Sequence, residues 1–459
     1  MKWIAFALII LAAPLLAVWL KGNPRQAPWA WGMLTFLPWV LGPWNLDVAP
    51  FATPIWSGYV KGWQVSLLDA VAFGIVFGMR TRWPKLVLIG PLLAYLFAAS
   101  ISVLQARFPE YAISYVVQLL RVVLVFLAVA RVAEMERGER ALLTGLCAGL
   151  AVQAGYAIFD RLNGALQTGG SLGHQNLLGF VSHMALMPAF AAFLAGRGSG
   201  RALVGVIAGL IVVALTASRA TIGIAGVGLI LTLVLSLAVN GNGRKVAVGV
   251  VGMILLAASF PLAKSALERR FQAQNTSFMS EDLQREAFVR TAKAIIGDYP
   301  LGIGPNHYVF ISITEGFADR AGVNWSASNR AANVHNAYLL IGAESGYPGL
   351  ITIVILLVTS IVVALTTAFR FRKQPGAEVL IGVGVGLIAI SLHSFVEWML
   401  VVNPSQYLLA ASMGIIVGMR SRFLAQQKNA VRSRRMMKQG RTDIQGQGQV
   451  QGHGQPGLA

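Results

Sequence analysis

The sequence predicts an all-α fold: a polytopic membrane bundle of about 12 to 13 helical spans with one long extracytoplasmic loop. Three observations predict it. Hydrophobic residues fill 56% of the 459 positions and charged residues only 12%, about half the charge of a soluble domain. Apolar stretches of roughly 20 residues, the length that crosses a hydrocarbon core, recur along the chain. Short loops rich in arginine and lysine recur at alternate breaks between them.

Apolar segments fall near 3–20, 28–42, 62–79, 84–104, 111–131, 140–160, 174–195, 201–216, 221–240, 246–265, 349–369, 377–397 and 404–420. The first has one lysine before it, Lys21 after it and no clean small-residue cleavage site, so a span is expected rather than a cleaved signal. The 28–42 segment is short and rich in tryptophan, which suits a re-entrant or tilted piece as well as a span. Basic residues mark one side: Arg80, Arg82 and Lys85; Arg131, Arg137 and Arg140; Arg197 and Arg201; Arg244 and Lys245; Arg370, Arg372 and Lys373. These loops and the basic tail are expected in the cytoplasm. The alternate loops, near 43–61, 105–110, 161–173, 217–220, 264–349 and 397–403, then face outward.

The chain therefore divides into N-terminal membrane helices (1–265), an outward loop (266–348), C-terminal membrane helices (349–420) and a basic, Gly/Gln-rich tail (421–459). The tail has little to bury, and disorder is expected from Gln426 onward, with its basic part on anionic headgroups. The net charge of +19 sits mostly in this tail and the short loops, so nucleic acid is not an expected partner. Cys147 is the only cysteine, so no disulfide forms within the chain.

The polar island is the informative part. Ser280 can cap a helix, with Glu281 and Asp282 in its first turn. Leu283, Ala287, Phe288, Ala292, Ile295 and Ile296 form an apolar stripe of helical period. Gly297 and Pro300 end it, and the run from Leu301 to Asn306 (LGIGPN) predicts a tight turn packed on the bundle. A second short helix is expected from His335 to Glu344, stopped by Gly346 and Pro348. His335 then stands near free backbone N–H groups.

An outward site has no ATP or nucleotide sugar. The outward loops carry no Asp-x-Asp pair, no cluster with metal-ligand spacing and no phosphate loop, so neither metal nor cofactor is expected. They carry arginines, whose planar fork holds phosphate and stays charged. Arg219 lies in the Ser218-Arg219-Ala220 turn; Arg269, Arg270, Arg285 and Arg290 lie in the island. Each has a duller role open: Arg219 as a headgroup anchor, Arg269 and Arg270 on lipid phosphate, Arg285 and Arg290 in pairs with Glu281, Glu286 or Asp298. His335 with Asn336 is the candidate general base, and Glu344 either braces the arginines or caps a helix end. His174 and Asn176 stand at the mouth of a span, placed to donate to a sugar or to cap that helix. Asp69 and Arg121 lie inside spans and are expected to pair, since lone charge in lipid is costly.

The Arg285 segment, the Pro300-Leu301-Gly302-Ile303-Gly304 turn, His335-Asn336-x-x-Leu339 and Glu344-x-Gly346 resemble the O-antigen ligase and O-antigen polymerase superfamily. The Ser218-Arg219-Ala220 turn and the Gly173-x-x-Asn176 entry are similar too, and the likeness spans roughly residues 60–420. It implies a metal-independent, inverting glycosyltransferase of the GT-C type. The implied donor is a glycan on undecaprenyl diphosphate at the outer face of the bacterial inner membrane. The implied acceptor is lipid A-core; a polymerase or a protein O-oligosaccharyltransferase would differ only in acceptor. Arg219 and Arg285 match the arginines that would hold the donor diphosphate, and His335 the histidine that would activate the acceptor. Where many members carry tryptophan four residues after the Arg285 position, this chain has Val289, which leaves Arg290 as a rival. A transporter with Arg121 and Asp69 along its path is the reading from another class. No internal repeat supports it.

Overall fold

The computed structural model describes residues 2–23, 27–252, 254 and 277–450, with side chains given up to Ser433 except at 199, 277–282 and 327. Arg269 and Arg270 lie outside the described residues. Among the described residues the fold is all-α apart from one antiparallel ribbon, β1 (Asp47–Val48) with β2 (Val65–Ser66).

The helices are α1 (Lys2–Gly22), α2 (Ala27–Phe36), α3 (Leu67–Gly78), α4 (Ile89–Ser102), α5 (Pro109–Glu134), α6 (Gly138–Leu162), α7 (Gln175–Leu194), α8 (Ser199–Leu215) and α9 (Arg219–Asn240). α10 is described over 243–252. The island contributes α11 (Ser277–Asp298), α12 (Tyr308–Thr314), α13 (Phe317–Arg320) and α14 (Ala327–Arg330). The chain finishes with α15 (Ala337–Arg370), α16 (Ala377–His393) and α17 (Asn403–Val450). Seven of these are long and apolar enough to cross a membrane, and four shorter apolar helices accompany them among the described residues. The protein is thus a multi-pass membrane bundle. The short tryptophan-rich piece is α2 followed by a 3-10 turn ending at Trp39, too short to span. It packs into α6, where a Cβ on Gly149 would collide with Trp39.

Small residues let the helices approach closely, as packing without water requires. Gly414 and Gly418 of α17 lie on Val129, Ala130 and Ala133 of α5. Gly382 of α16 lies on the Met187 carbonyl of α7, and Thr221 of α9 fills the space beside Gly179 of α7. Inside this core Arg121 and Asp69 form the expected pair at 2.7 Å. Asp69 also caps α3 by accepting from the Ser66 backbone N–H at 2.7 Å. At the basic end two further buried pairs tie helices together: Lys245 with Glu378 at 2.6 Å and Arg422 with Glu139 at 2.6 Å.

Three elements differ from expectation. α11 begins at Ser277, so Ser280 lies within it rather than capping it, and Leu283 is exposed. Ala287, Phe288, Ala292, Ile295 and Ile296 are buried as the stripe predicts. The short helix expected from His335 to Glu344 stops at Gly346 as expected but starts two residues late. It starts at Ala337, and the non-helical Gly346 (φ 67°) separates it from the span that runs on to Arg370 within α15. The tail expected to be disordered from Gln426 is helical to Val450. Its Ala, Gln, Lys, Arg and Met are good helix formers, and no proline occurs between Pro404 and Pro456.

Candidate functional site

The bend in α15 is built by the island. The Tyr347 N–H donates to the Pro300 carbonyl at 3.0 Å, and Ile303 N–H donates to Ala343 at 3.1 Å. A Cβ on Gly346 would collide with Pro300 and Leu301, and one on Gly302 with the Glu344 backbone. The tight turn therefore needs glycine where the sequence has it, at φ 88° and 90° for Gly302 and Gly304. Glu344 is buried inside this joint. Its carboxylate accepts from the Tyr308 N–H at 3.0 Å and from the Tyr59 hydroxyl at 2.5 Å. Burial and the nearby carboxylate push the Tyr59 phenol well above its usual range. Glu344 thus anchors the loop that carries the island.

The chain reaches the candidate base on the other side of that joint. Asn336 caps α15 by accepting from Leu339 N–H at 3.0 Å and donates to the Phe395 carbonyl at 3.1 Å. The Ala337 N–H donates to Ser394 at 2.8 Å. These contacts press residues 335–337 onto the turn that follows α16. There His335 Nδ1 lies 3.2 Å from Oε2 of Glu397. The Glu397 side chain is 5% exposed and that of His335 30%, so the pair is half-sunk with the histidine outermost.

Asn176 completes the set: its Nδ2 donates to Oε1 of Glu397 at 2.6 Å. His174 caps α7, its Nδ1 accepting from Asn176 N–H at 3.2 Å. An accepting Nδ1 leaves the proton on Nε2, so neutral His174 is a hydrogen-bond donor on its outer edge. Burial pulls His174 below its ordinary range, against the pull of Glu397. Of the sequence-derived residues, His335 and Asn176 therefore engage one carboxylate, Glu397, that sequence reasoning missed, while His174 and Asn336 cap the adjoining helix starts.

The arginines divide. Arg219 opens α9 behind the Ser218 cap. The Thr221–Gly179 contact sets that first turn one helical turn along α7 from Asn176. Arg285 is exposed on α11, one turn before Phe288. The Phe288 ring lies 6.2 Å from the His335 imidazole. Arg290 faces elsewhere. It pairs with Glu286 at 3.0 Å and donates to the Ala321 carbonyl at 3.0 Å, pinning the island's outer loop to α11. Among the described residues no group of three or more His, Cys, Asp and Glu is arranged to hold a metal ion.

This arrangement can orient a base. A carboxylate on Nδ1 fixes the imidazole so that Nε2 offers its lone pair outward, and it stabilises the imidazolium that follows proton uptake. No curated protein sequence matches the chain. Residues 204–354 match the family described as O-Antigen ligase. That stretch runs from α8 through the island to the first part of α15, and it contains Arg219, Arg285, Arg290, His335, Asn336 and Glu344. The match over this stretch, about a third of the chain, supports membership of the O-antigen ligase superfamily.

Proposed function

We propose that the protein is a metal-independent, inverting glycosyltransferase that moves a glycan from undecaprenyl diphosphate to an acceptor hydroxyl on lipid A-core. The reaction takes place at the periplasmic face of the inner membrane. The observation that carries this reading is the His335–Glu397 pair, steadied by Asn176, at the island end of a membrane bundle. His335 Nε2 takes the proton of the acceptor hydroxyl. The acceptor oxygen then forms a bond to the anomeric carbon as the bond from that carbon to the diphosphate oxygen breaks. The electron pair leaves with the diphosphate, and Arg219 and Arg285 meet the charge that grows there. Attack from the face opposite the leaving group inverts the sugar. The lipid diphosphate is already an activated leaving group, so no nucleotide enters.

The test uses the purified full-length chain, a lipid-linked glycan donor and lipid A-core. His335→Ala is expected to lower turnover by about 10²- to 10⁴-fold, the usual worth of a general base. Arg219→Ala and Arg285→Ala are expected to lower it too, and a chelator to leave it unchanged. Wild-type turnover by the His335 variant, or loss of activity on chelation, would overturn the mechanism. Offering glycan on its carrier in place of lipid A-core tests a polymerase in the same assay.

A further inference from the structure

We propose that the end of the bundle opposite His335 holds a binding site for the headgroup of an anionic phospholipid, formed between the loop after α3 and the middle of α17. A cavity of about 650 Å³ opens there, walled by Arg82, Trp83 and Lys85 on one side and Ser421, Lys428 and Arg432 on the other. Lys428 and Arg432 are four apart on one helix and so share a face. None of these four cations forms an ion pair among the described residues. The one carboxylate in the wall, Glu134, accepts from the Ser421 hydroxyl at 2.7 Å. Four positive side chains from segments more than 300 residues apart thus converge beside a single carboxylate, leaving an excess of positive charge that favours entry of an anion.

The site is held in shape without a ligand. The Lys85 backbone N–H donates to Ser421 at 3.4 Å, clipping the loop to α17. Trp83 lies under the Arg131 guanidinium at 4.4 Å, and that guanidinium donates to the carbonyls of Met79 and Thr81 at 2.7 and 2.8 Å. The indole is therefore fixed while 45% of its surface stays open.

A lipid fits better than a soluble anion because the loop that walls the cavity is bordered by exposed apolar side chains. Phe77 and Val87 flank the loop at 56% and 41% exposure, and tryptophan at such a boundary sits at headgroup level. Phosphate in the cavity leaves acyl chains along those side chains. Four cations against one carboxylate leave enough positive charge for two phosphodiesters, so a headgroup with two phosphates, as in diphosphatidylglycerol, is the best partner.

The proposal does not depend on the glycosyl-transfer reading, and its test needs no activity assay. The full-length protein in zwitterionic micelles is titrated with diphosphatidylglycerol, with phosphatidylcholine and with inorganic pyrophosphate, following thermal unfolding. Diphosphatidylglycerol is expected to raise the unfolding temperature and the other two to leave it unchanged. The Arg82→Ala, Lys85→Ala, Arg432→Ala triple variant is expected to need roughly 100-fold more of that lipid, at about a fivefold loss per cation. A control variant, Arg370→Ala with Arg372→Ala and Lys373→Ala, removes as much charge from another cavity at the same end and is expected to respond as wild type. An equal response to pyrophosphate, no response to the lipid, or equal weakening in both triple variants would overturn the site.

Discussion

Glu397 shows what a single residue does here. It is the sole acidic side chain between Glu378 and Asp443, and both its oxygens are engaged, one by His335 and one by Asn176. Glu397→Gln keeps the shape but presents an amide where His335 needs an acceptor for its N–H. We expect turnover to fall by about 10²- to 10⁴-fold, as when a triad carboxylate becomes an amide, with acceptor KM nearly unchanged. An unaltered turnover number in the donor–acceptor assay would remove Glu397 from the reaction. His335, Asn336, His174 and Asn176 were legible in the sequence because each polar residue interrupts an apolar pattern at a helix start. Glu397 was not. The apolar run 377–397 reads as one span, but α16 ends at His393, and that early stop is what frees the carboxylate to turn toward α7.

At the level of elements, the joint between the island turn and α15 decides where His335 sits. The LGIGPN turn was legible, down to its packing on the bundle, because glycine and proline spacing reports backbone geometry directly. The break in its partner was legible as well: Gly346 and Pro348 read as a helix stop, and the backbone is non-helical at Gly346. The hydrogen bonds by which the turn joins the two helix halves there were not legible, because they link positions 40 or more residues apart. Gly346→Ala places a methyl group against Pro300 and Leu301 at a positive φ. We expect a loss of about 1–3 kcal/mol from the strain, read as a lower unfolding temperature in detergent, together with weaker transfer. A variant as stable and active as wild type would show that the joint does not hold the site. Glu344 belongs to the same joint: its carboxylate serves Tyr59 and Tyr308.

The whole molecule is a bundle with two unlike ends. α16 runs from Ala377 at the basic end to His393 beside the candidate site, and α17 returns from Asn403 past Arg422. The helical membrane bundle was readable because hydropathy is local, though the expected count of about 12 to 13 spans exceeds the seven long and four shorter apolar helices among the described residues. The contacts between α7, α15 and the α16–α17 turn are not local. Alternation predicts that the island faces outward. Cys147 is buried and is the chain's single cysteine, so Cys147→Ala gives a clean background. Ser328→Cys, on the island, is expected to react with a membrane-impermeant maleimide in intact spheroplasts, and Lys428→Cys only after permeabilisation. The reverse pattern would invert the topology and place the site in the cytoplasm.

The Asn176–Glu397–His335 arrangement joins positions 221 and 62 residues apart along the chain, and two of its three members fall outside the matched stretch 204–354. A chimera that grafts that stretch into a relative would import a histidine cut off from the carboxylate that aims it. Exchange of specificity between such proteins therefore has to carry the start of α7 and the turn after α16 along with the island, or begin from a host whose own side chains already stand at those two places.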